Sequence, residues 1–592
     1  MNKNNLFYML VAVTAAISFT ACTAPPPTAT SQSNLPAKVD KKEAQTNPPI
    51  EQEIAVADSS TVAPTNGRHR LPIAGKTKYA PGALTKRSGY APAYGVPHRL
   101  RFPSEVVDRE NYAHFDENRI KLVSEHPVST FSIDVDTGSY ANVRRLLNSG
   151  RLPRKDAVRV EEMINYFSYN YPLPQNNRTP FRVTTEIAPA PWNKNKHLLH
   201  IGIKGYNVAA SKLPPANLVF LVDVSGSMQS ANKLGLLKSS LKLLTKRLRK
   251  RDRISLVVYA GASGVVLPPT AGNNTAAITA ALDSLSAGGS TNGAAGIRLA
   301  YATAEQAFIK GGINRVILAT DGDFNVGTVS FEALKNLVEE KRKSGITLTT
   351  LGYGSGNYND HLMEQLADVG NGNYAYIDTL KEANKVLVSE MSSTLFTIAK
   401  DVKIQIEFNP DAVKEYRLIG YENRMLKRED FNNDKVDAGD IGAGHTVTAL
   451  YEITLSGSRG HAIDPLRYRA AKKQKPGNGG ELAFLKIRYK APGGYVSKLM
   501  QWPLKTADVG NNIRSTSDRF RFSAAVAGFG QLLRGGKYTN GFSLKDVHTL
   551  AANSRGKDKF GYRGEFLGLV SLADSISTTA KISAIETNRQ FN

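Results

Sequence analysis

The sequence predicts an α/β fold: a mostly parallel sheet with helices on both faces, inserted in or flanked by an antiparallel β-sandwich, and followed by a helical C-terminal region. Short apolar runs at 218–222, 254–259, 316–320, 346–351 and 374–377 alternate with helical stretches, which is the order of a parallel sheet covered on both sides. Past residue 400 the period changes to two. Val402, Ile404, Ile406 and Phe408 alternate with Lys403, Gln405 and Glu407, and the stretches 447–455 and 485–489 repeat the pattern. The last ninety residues return to helical spacing, over 518–533, 543–552 and 562–576.

The central run Leu218-Val219-Phe220-Leu221-Val222 ends in Asp223-Val224-Ser225-Gly226-Ser227. A buried strand would deliver Asp223, Ser225 and Ser227 onto one loop at its carboxyl end, where open α/β sheets bind ligands. Three hard oxygens on one loop suit a small divalent cation. The same pattern also suits a strand-to-helix turn whose hydroxyls cap the next helix. Two later stretches bear on the choice. Gly288-Gly289-Ser290-Thr291-Asn292-Gly293 opens an amphipathic helix carried by Ile297, Tyr301, Ala304 and Phe308, and 316–320 is a second buried strand, ending in Asp321.

In order and spacing these stretches resemble the von Willebrand factor type A domain, a Rossmann-like fold. Its metal-ion-dependent adhesion site is Asp-x-Ser-x-Ser, then Thr, then Asp, matched by Asp223, Ser225, Ser227, Thr291 and Asp321. The resemblance implies Mg²⁺ or Mn²⁺ as cofactor, with Ser225, Ser227 and Thr291 as direct ligands and Asp223 and Asp321 acting directly or through water. It also implies an open coordination position that an Asp or Glu of a protein partner fills. Independently of the name, Mg²⁺ takes one or two carboxylates with neutral oxygens and waters, which is this donor set.

The expected organisation follows the chain. Residues 1–22 are read as a lipoprotein signal peptide: a weakly positive start, an apolar stretch over 6–19, and Phe19-Thr20-Ala21-Cys22, which resembles the bacterial lipobox with Cys22 as the lipidated residue. Phe19 stands where that motif usually has Leu; ordinary cleavage near Ala21 would instead leave a free thiol. Residues 23–104 are rich in Pro, Thr and Ser, then basic, and are read as a disordered tether with an end-to-end distance of roughly 50 Å. Its distal part, with Arg68, Arg70, Lys76, Lys78, Lys86, Arg87, Arg99 and Arg101, is either a solvated tail or a contact for anionic envelope polymers. Residues 105–180 form an N-terminal segment. Strands in 181–215 are expected to pair into one sandwich with 400–505, in the same sheet as 402–408, around the 216–399 α/β unit, and 506–592 is the helical region. This order of parts resembles a group of bacterial envelope lipoproteins, which implies a lipid-anchored, envelope location; because Thr23 is not Asp, the lipoprotein sorting rule implies the outer membrane if the cell is Gram-negative.

The 592 residues carry a formal charge of +24 and one cysteine. No nucleic-acid-binding motif accompanies the charge, so nucleic acid ranks last among partners. An enzyme finds little support. Phosphatases of the haloacid dehalogenase type need an Asp where Ser225 stands, there is no Gly-x-Ser-x-Gly, and Arg70 replaces the first Gly of a P-loop ending at 75–77. His197 and His200 lack companions for zinc. Two stretches have calcium-loop spacing, from Asp134 and from Asp430, but their twelfth positions are Arg145 and Ile441. The leading expectation is a lipid-anchored, metal-dependent protein-binding module, not an enzyme; the alternative is a structural envelope protein whose cation only rigidifies the domain.

Overall fold

The computed structural model describes residues 109–590 apart from 177, 323–329 and 465–479. The signal-peptide, Cys22 and tether readings therefore lie outside the described residues. The chain divides after His98, and everything described here belongs to the second unit.

The α/β unit is built on six strands in the order Tyr374–Ile377, Thr347–Tyr353, Ile313–Thr320, Ala216–Asp223, Arg253–Tyr259 and Ser263–Ala271. All neighbours are parallel except the last pair. Ala216–Asp223 is central and buried throughout, with Leu218, Phe220 and Val222 in the core on one face and Val219 and Leu221 in the core on the other. Burial on both faces is why its sequence is a continuous apolar run rather than an alternation.

Two features of this unit differ from expectation. The edge strand Ser263–Ala271 was not foreseen, because Pro268 and Pro269 interrupt it and Val265 and Val266 face outward. An edge strand has one free side, which lets it tolerate proline. Phe308, expected on the buried stripe of the helix Gly293–Gln306, lies beyond its end and is 44% exposed, whereas Ile297, Tyr301 and Ala304 are fully buried.

The other strands form two antiparallel sheets with one core between them. The first has the order Lys121–Leu122, Val413–Ile419, Thr446–Leu455, Asn193–Gly205, Phe181–Ala190; the second joins Ile441–Gly442, Thr397–Phe408, Glu481–Lys490 and Ser497–Lys505, with Val128–Ser132 beside Thr397–Phe408. The pair Phe181–Ala190 and Asn193–Gly205 is thus not in the sheet of Thr397–Phe408, and that expectation is corrected. The two face each other instead. Leu199, Ile201 and Ile203 share a core with Val402, Ile404, Ile406 and Phe408.

The opposite face of the first sheet is also covered. Leu198 and Leu450 pack with Phe520, Phe522, Phe529 and Phe566 of the helices Asp518–Leu533 and Tyr562–Gln590, and with Tyr140, Tyr166 and Phe167 of the N-terminal segment. Gly202 sits on this face under the ring of Tyr171, where a Cβ would come within 2.4 Å of the ring carbons.

The α/β unit is inserted between Asn193–Gly205 and Thr397–Phe408. Buried charge ties it to its surroundings. Arg144 of the helix Gly138–Asn148 pairs with Asp378, with Glu382 at 2.8 Å and with Glu565 at 3.0 Å. Arg159 pairs with Asp360 at 2.6 Å and Glu364 at 3.3 Å, and also with Glu162. Residues at the start of the described chain run along the loop after Thr347–Tyr353: the amide of Arg109 donates to Gly356 O, that of Asn111 to Tyr358 O and that of Asp360 to Asn111 O.

Candidate functional site

The five predicted residues come from three loops at the carboxyl end of the parallel strands. Asp223 is the last residue of its strand, Ser225 and Ser227 flank the start of the turn Gly226–Gln229, Thr291 precedes the N-cap Asn292 of the helix Gly293–Gln306, and Asp321 follows Ile313–Thr320. The two carboxylate strands are direct neighbours, with Val222 opposite Ala319. The Thr291 loop is stitched to the first loop by the amide of Gly226 donating to Gly289 O at 3.0 Å and that of Gly288 donating to Val224 O at 2.8 Å.

Asp223 is held from three sides. Its Oδ1 accepts from the Ser225 amide at 2.9 Å; its Oδ2 accepts from Thr320 Oγ1 at 2.7 Å and from the Tyr259 hydroxyl at 3.1 Å. Burial raises its pKa above the ordinary carboxylate value, the Ser225 and Thr320 bonds oppose that, and the charge of Asp321 adds to it. Ser225 Oγ and Ser227 Oγ lie 3.0 Å apart. Asp223, Ser225 and Asp321 are buried while Ser227 and Thr291 are half-buried, so access is from the side of Ser227 and Thr291.

This donor set fits a hard divalent cation: two carboxylates, three hydroxyls, and no soft sulfur or imidazole. Among the described residues no group of three or more His, Cys, Asp or Glu is placed to hold a metal. The two calcium-like stretches are closed by internal cations. Lys403 Nζ bonds the carbonyls of Asp430 and Asn433 at 3.1 and 2.6 Å, and Arg424 pairs with Asp134 at 3.5 Å and Asp136 at 3.3 Å. His200 is packed, its Nε2 2.9 Å from the Tyr171 hydroxyl.

One residue of the site was missed. Lys233 Nζ donates to Asp321 Oδ2 at 2.8 Å and to Asn357 Oδ1 at 3.2 Å. Its signal was present: Lys233 stands four and eight residues before Leu237 and Leu241, both fully buried, on the apolar stripe rather than the solvated face.

Comparison with known proteins agrees with the fold. Residues 217–389 match the von Willebrand factor type A domain, 106–200 match a family described as von Willebrand factor, and 393–576 match the family described as uncharacterized protein YfbK, C-terminal. The chain is 52% identical over 473 residues to the uncharacterized protein YfbK of Escherichia coli (strain K12), covering 79% of this chain and 81% of that protein. It is 25% identical over 280 residues to the human inter-alpha-trypsin inhibitor heavy chain H3, covering 43% of this chain and 31% of the other. Among solved structures, a von Willebrand factor type A protein from Catenulispora acidiphila aligns with 66% of this chain and 89% of its own, at 16% identity and a TM-score of 0.37. With a von Willebrand factor type A domain at its centre and identity to YfbK over most of both chains, the protein belongs to the YfbK family.

Proposed function

We propose that the protein is a divalent-metal-dependent protein-binding module of the bacterial envelope, holding Mg²⁺ or Mn²⁺ between Asp223, Ser225, Ser227, Thr291 and Asp321 and taking up an Asp or Glu of a partner protein. The observation that carries this reading is the arrival of two carboxylates and three hydroxyls at the carboxyl ends of neighbouring strands of a von Willebrand factor type A domain, with the Asp223 loop bonded both to the Thr291 loop and to Thr320. When bound, the cation supplies a site of positive charge with an exchangeable position. Ser227 and Thr291, being half-buried, form the mouth through which an acidic side chain approaches. Asp223 is anchored by Tyr259, Thr320 and the Ser225 amide and keeps the loop in place before any ligand arrives. The hydroxyls nearest Asp223 are engaged in holding its carboxylate, and the reading is of a binding protein rather than an enzyme. Lipidation at Cys22 would anchor it to a membrane. Among the described residues no helix is long and apolar enough to cross one.

The test is a pull-down from envelope extract with wild type, Asp223→Ala and Thr291→Ala, with and without EDTA. A partner retained by wild type and lost in EDTA and in both variants is the expected result. Capture that is indifferent to EDTA and to both substitutions refutes the reading; metal-dependent melting without a metal-dependent partner would favour a purely stabilising cation.

A further inference from the structure

We propose that Lys233 is a built-in counter-charge of the metal site, which leaves the loaded site one positive charge in excess so that a single partner carboxylate brings it to neutrality. This rests on the reading that Asp223, Ser225, Ser227, Thr291 and Asp321 hold a divalent cation.

Lys233 lies in the turn Ala231–Gly235, which leads from the first loop into the helix Leu236–Thr245. Only 7% of it is exposed, and lysine is seldom buried unless paired. Its ammonium bridges Asp321 and Asn357, and its stem lies against Gly354. Gly354 has φ +77°, and a Cβ there would fall 2.4 Å from both Cγ and Cε of Lys233. A residue of another type at 354 would therefore be strained and would also displace the lysine. Three separate loops build this slot, all at the carboxyl end of the sheet.

The charge count gives the slot its meaning. Asp223 and Asp321 contribute two negative charges, and a divalent cation between them would leave none; a partner carboxylate would then add an uncompensated negative charge. With Lys233 included, Asp223, Asp321 and Lys233 together carry minus one when the site is empty, plus one when it is loaded, and zero once a single carboxylate has arrived, counted over the described residues. Burial of Asp223, Ser225 and Asp321 makes each uncompensated charge costly. Lys233 thus acts in opposite directions on the two ligands: it weakens the hold on the cation and strengthens the hold on the acid. It also accounts for two carboxylates sharing a buried site before any cation binds.

The experiment uses the full chain with Lys233→Gln, which retains a donor toward Asp321 and Asn357 without charge, and Lys233→Met, which retains only the stem. Isothermal titration with Mg²⁺ and Mn²⁺ measures cation affinity, and water-proton relaxation of the Mn²⁺-loaded protein titrated with acetate measures uptake of a carboxylate. Both variants are expected to bind Mn²⁺ about tenfold more tightly or better and to lose most of the acetate response. Circular dichroism identifies the folded variant on which the reading is made, and in EDTA the variants are expected to melt below wild type. A folded variant with unchanged or weaker cation affinity, or with an undiminished acetate response, overturns the role of Lys233. A wild-type protein that takes up neither ion overturns the metal reading itself, so the two failures are distinct.

Discussion

Acidification should destabilise this protein in part through the buried imidazole of His200, and that share of the effect can be worked from the structure. His200 sits on Asn193–Gly205 on the face covered by helices, its ring 6.0 Å from that of Phe520 and 5.7 Å from that of Tyr171. Burial, with Arg519 nearby, pushes its pKa down from 6.5 to about 3. Such a histidine stays neutral when folded but takes a proton when unfolded. Its contribution to stability is therefore full above the unfolded value of 6.5 and is lost as pH falls from 6.5 toward 3. At about 1.4 kcal/mol per pH unit, moving from pH 7 to pH 4.5 removes about 2.5 kcal/mol through this residue alone. Other groups titrate over the same range, so the quantity to measure is a difference of differences. Urea unfolding of wild type and His200→Gln at pH 7, 6, 5 and 4.5 should give stability curves that converge toward low pH, the wild type losing about 2.5 kcal/mol more across the range. Parallel curves would refute the argument, since they would mean that His200 is protonated in the folded protein or reached by water.

Thr320→Val removes the hydroxyl that donates to Asp223 Oδ2 at 2.7 Å; it should lower stability by about 1–2 kcal/mol in thermal melts and weaken Mn²⁺ binding about three- to tenfold by titration. Arg144→Met leaves Asp378 and Glu382 buried without their cation and should cost about 3–5 kcal/mol, read as a lower denaturation midpoint and as new proteolytic cleavage at the junction of the α/β unit with the helical layer. Gly202→Ala forces a methyl into the Tyr171 ring and should cost about 1–3 kcal/mol, with the change confined to stability and Mn²⁺ affinity unaltered.

The parallel sheet was legible because two-sided burial writes itself as continuous apolar runs, and the antiparallel strands were legible because one-sided patterning has a period of two. Which strand pairs with which was not. The period of Val402 to Phe408 equals that of Val447 to Ile453, yet the two lie in different sheets, because partnership depends on contacts far apart in sequence. The helical stretch that closes the α/β unit is divided into Leu380–Asn384, Lys385–Ser389 and Met391–Leu395, a break that composition does not signal. At the site, motif spacing singles out five oxygen-bearing residues; the structure pairs the strands that end in Asp223 and before Asp321, and bonds the Thr291 loop to the first loop. Lys233 belongs to no metal-site motif, and only its spacing from the buried Leu237 and Leu241 signals that it lies inside.

The backbone bonds between Arg109–Asn111 and the loop 356–360 have a mechanical consequence. That loop follows Thr347–Tyr353, so it lies at the same end of the sheet as Asp223 and Asp321. A force applied to the chain at Arg109 would therefore enter the molecule at the end of the sheet that carries Asp223 and Asp321. The short parallel pairing of 109–111 with 356–359 would bear the load directly, and the sandwich and the terminal helices would be spared it. Under a pulling force the first event should then be the peeling of these few residues, well before any β-sheet is sheared.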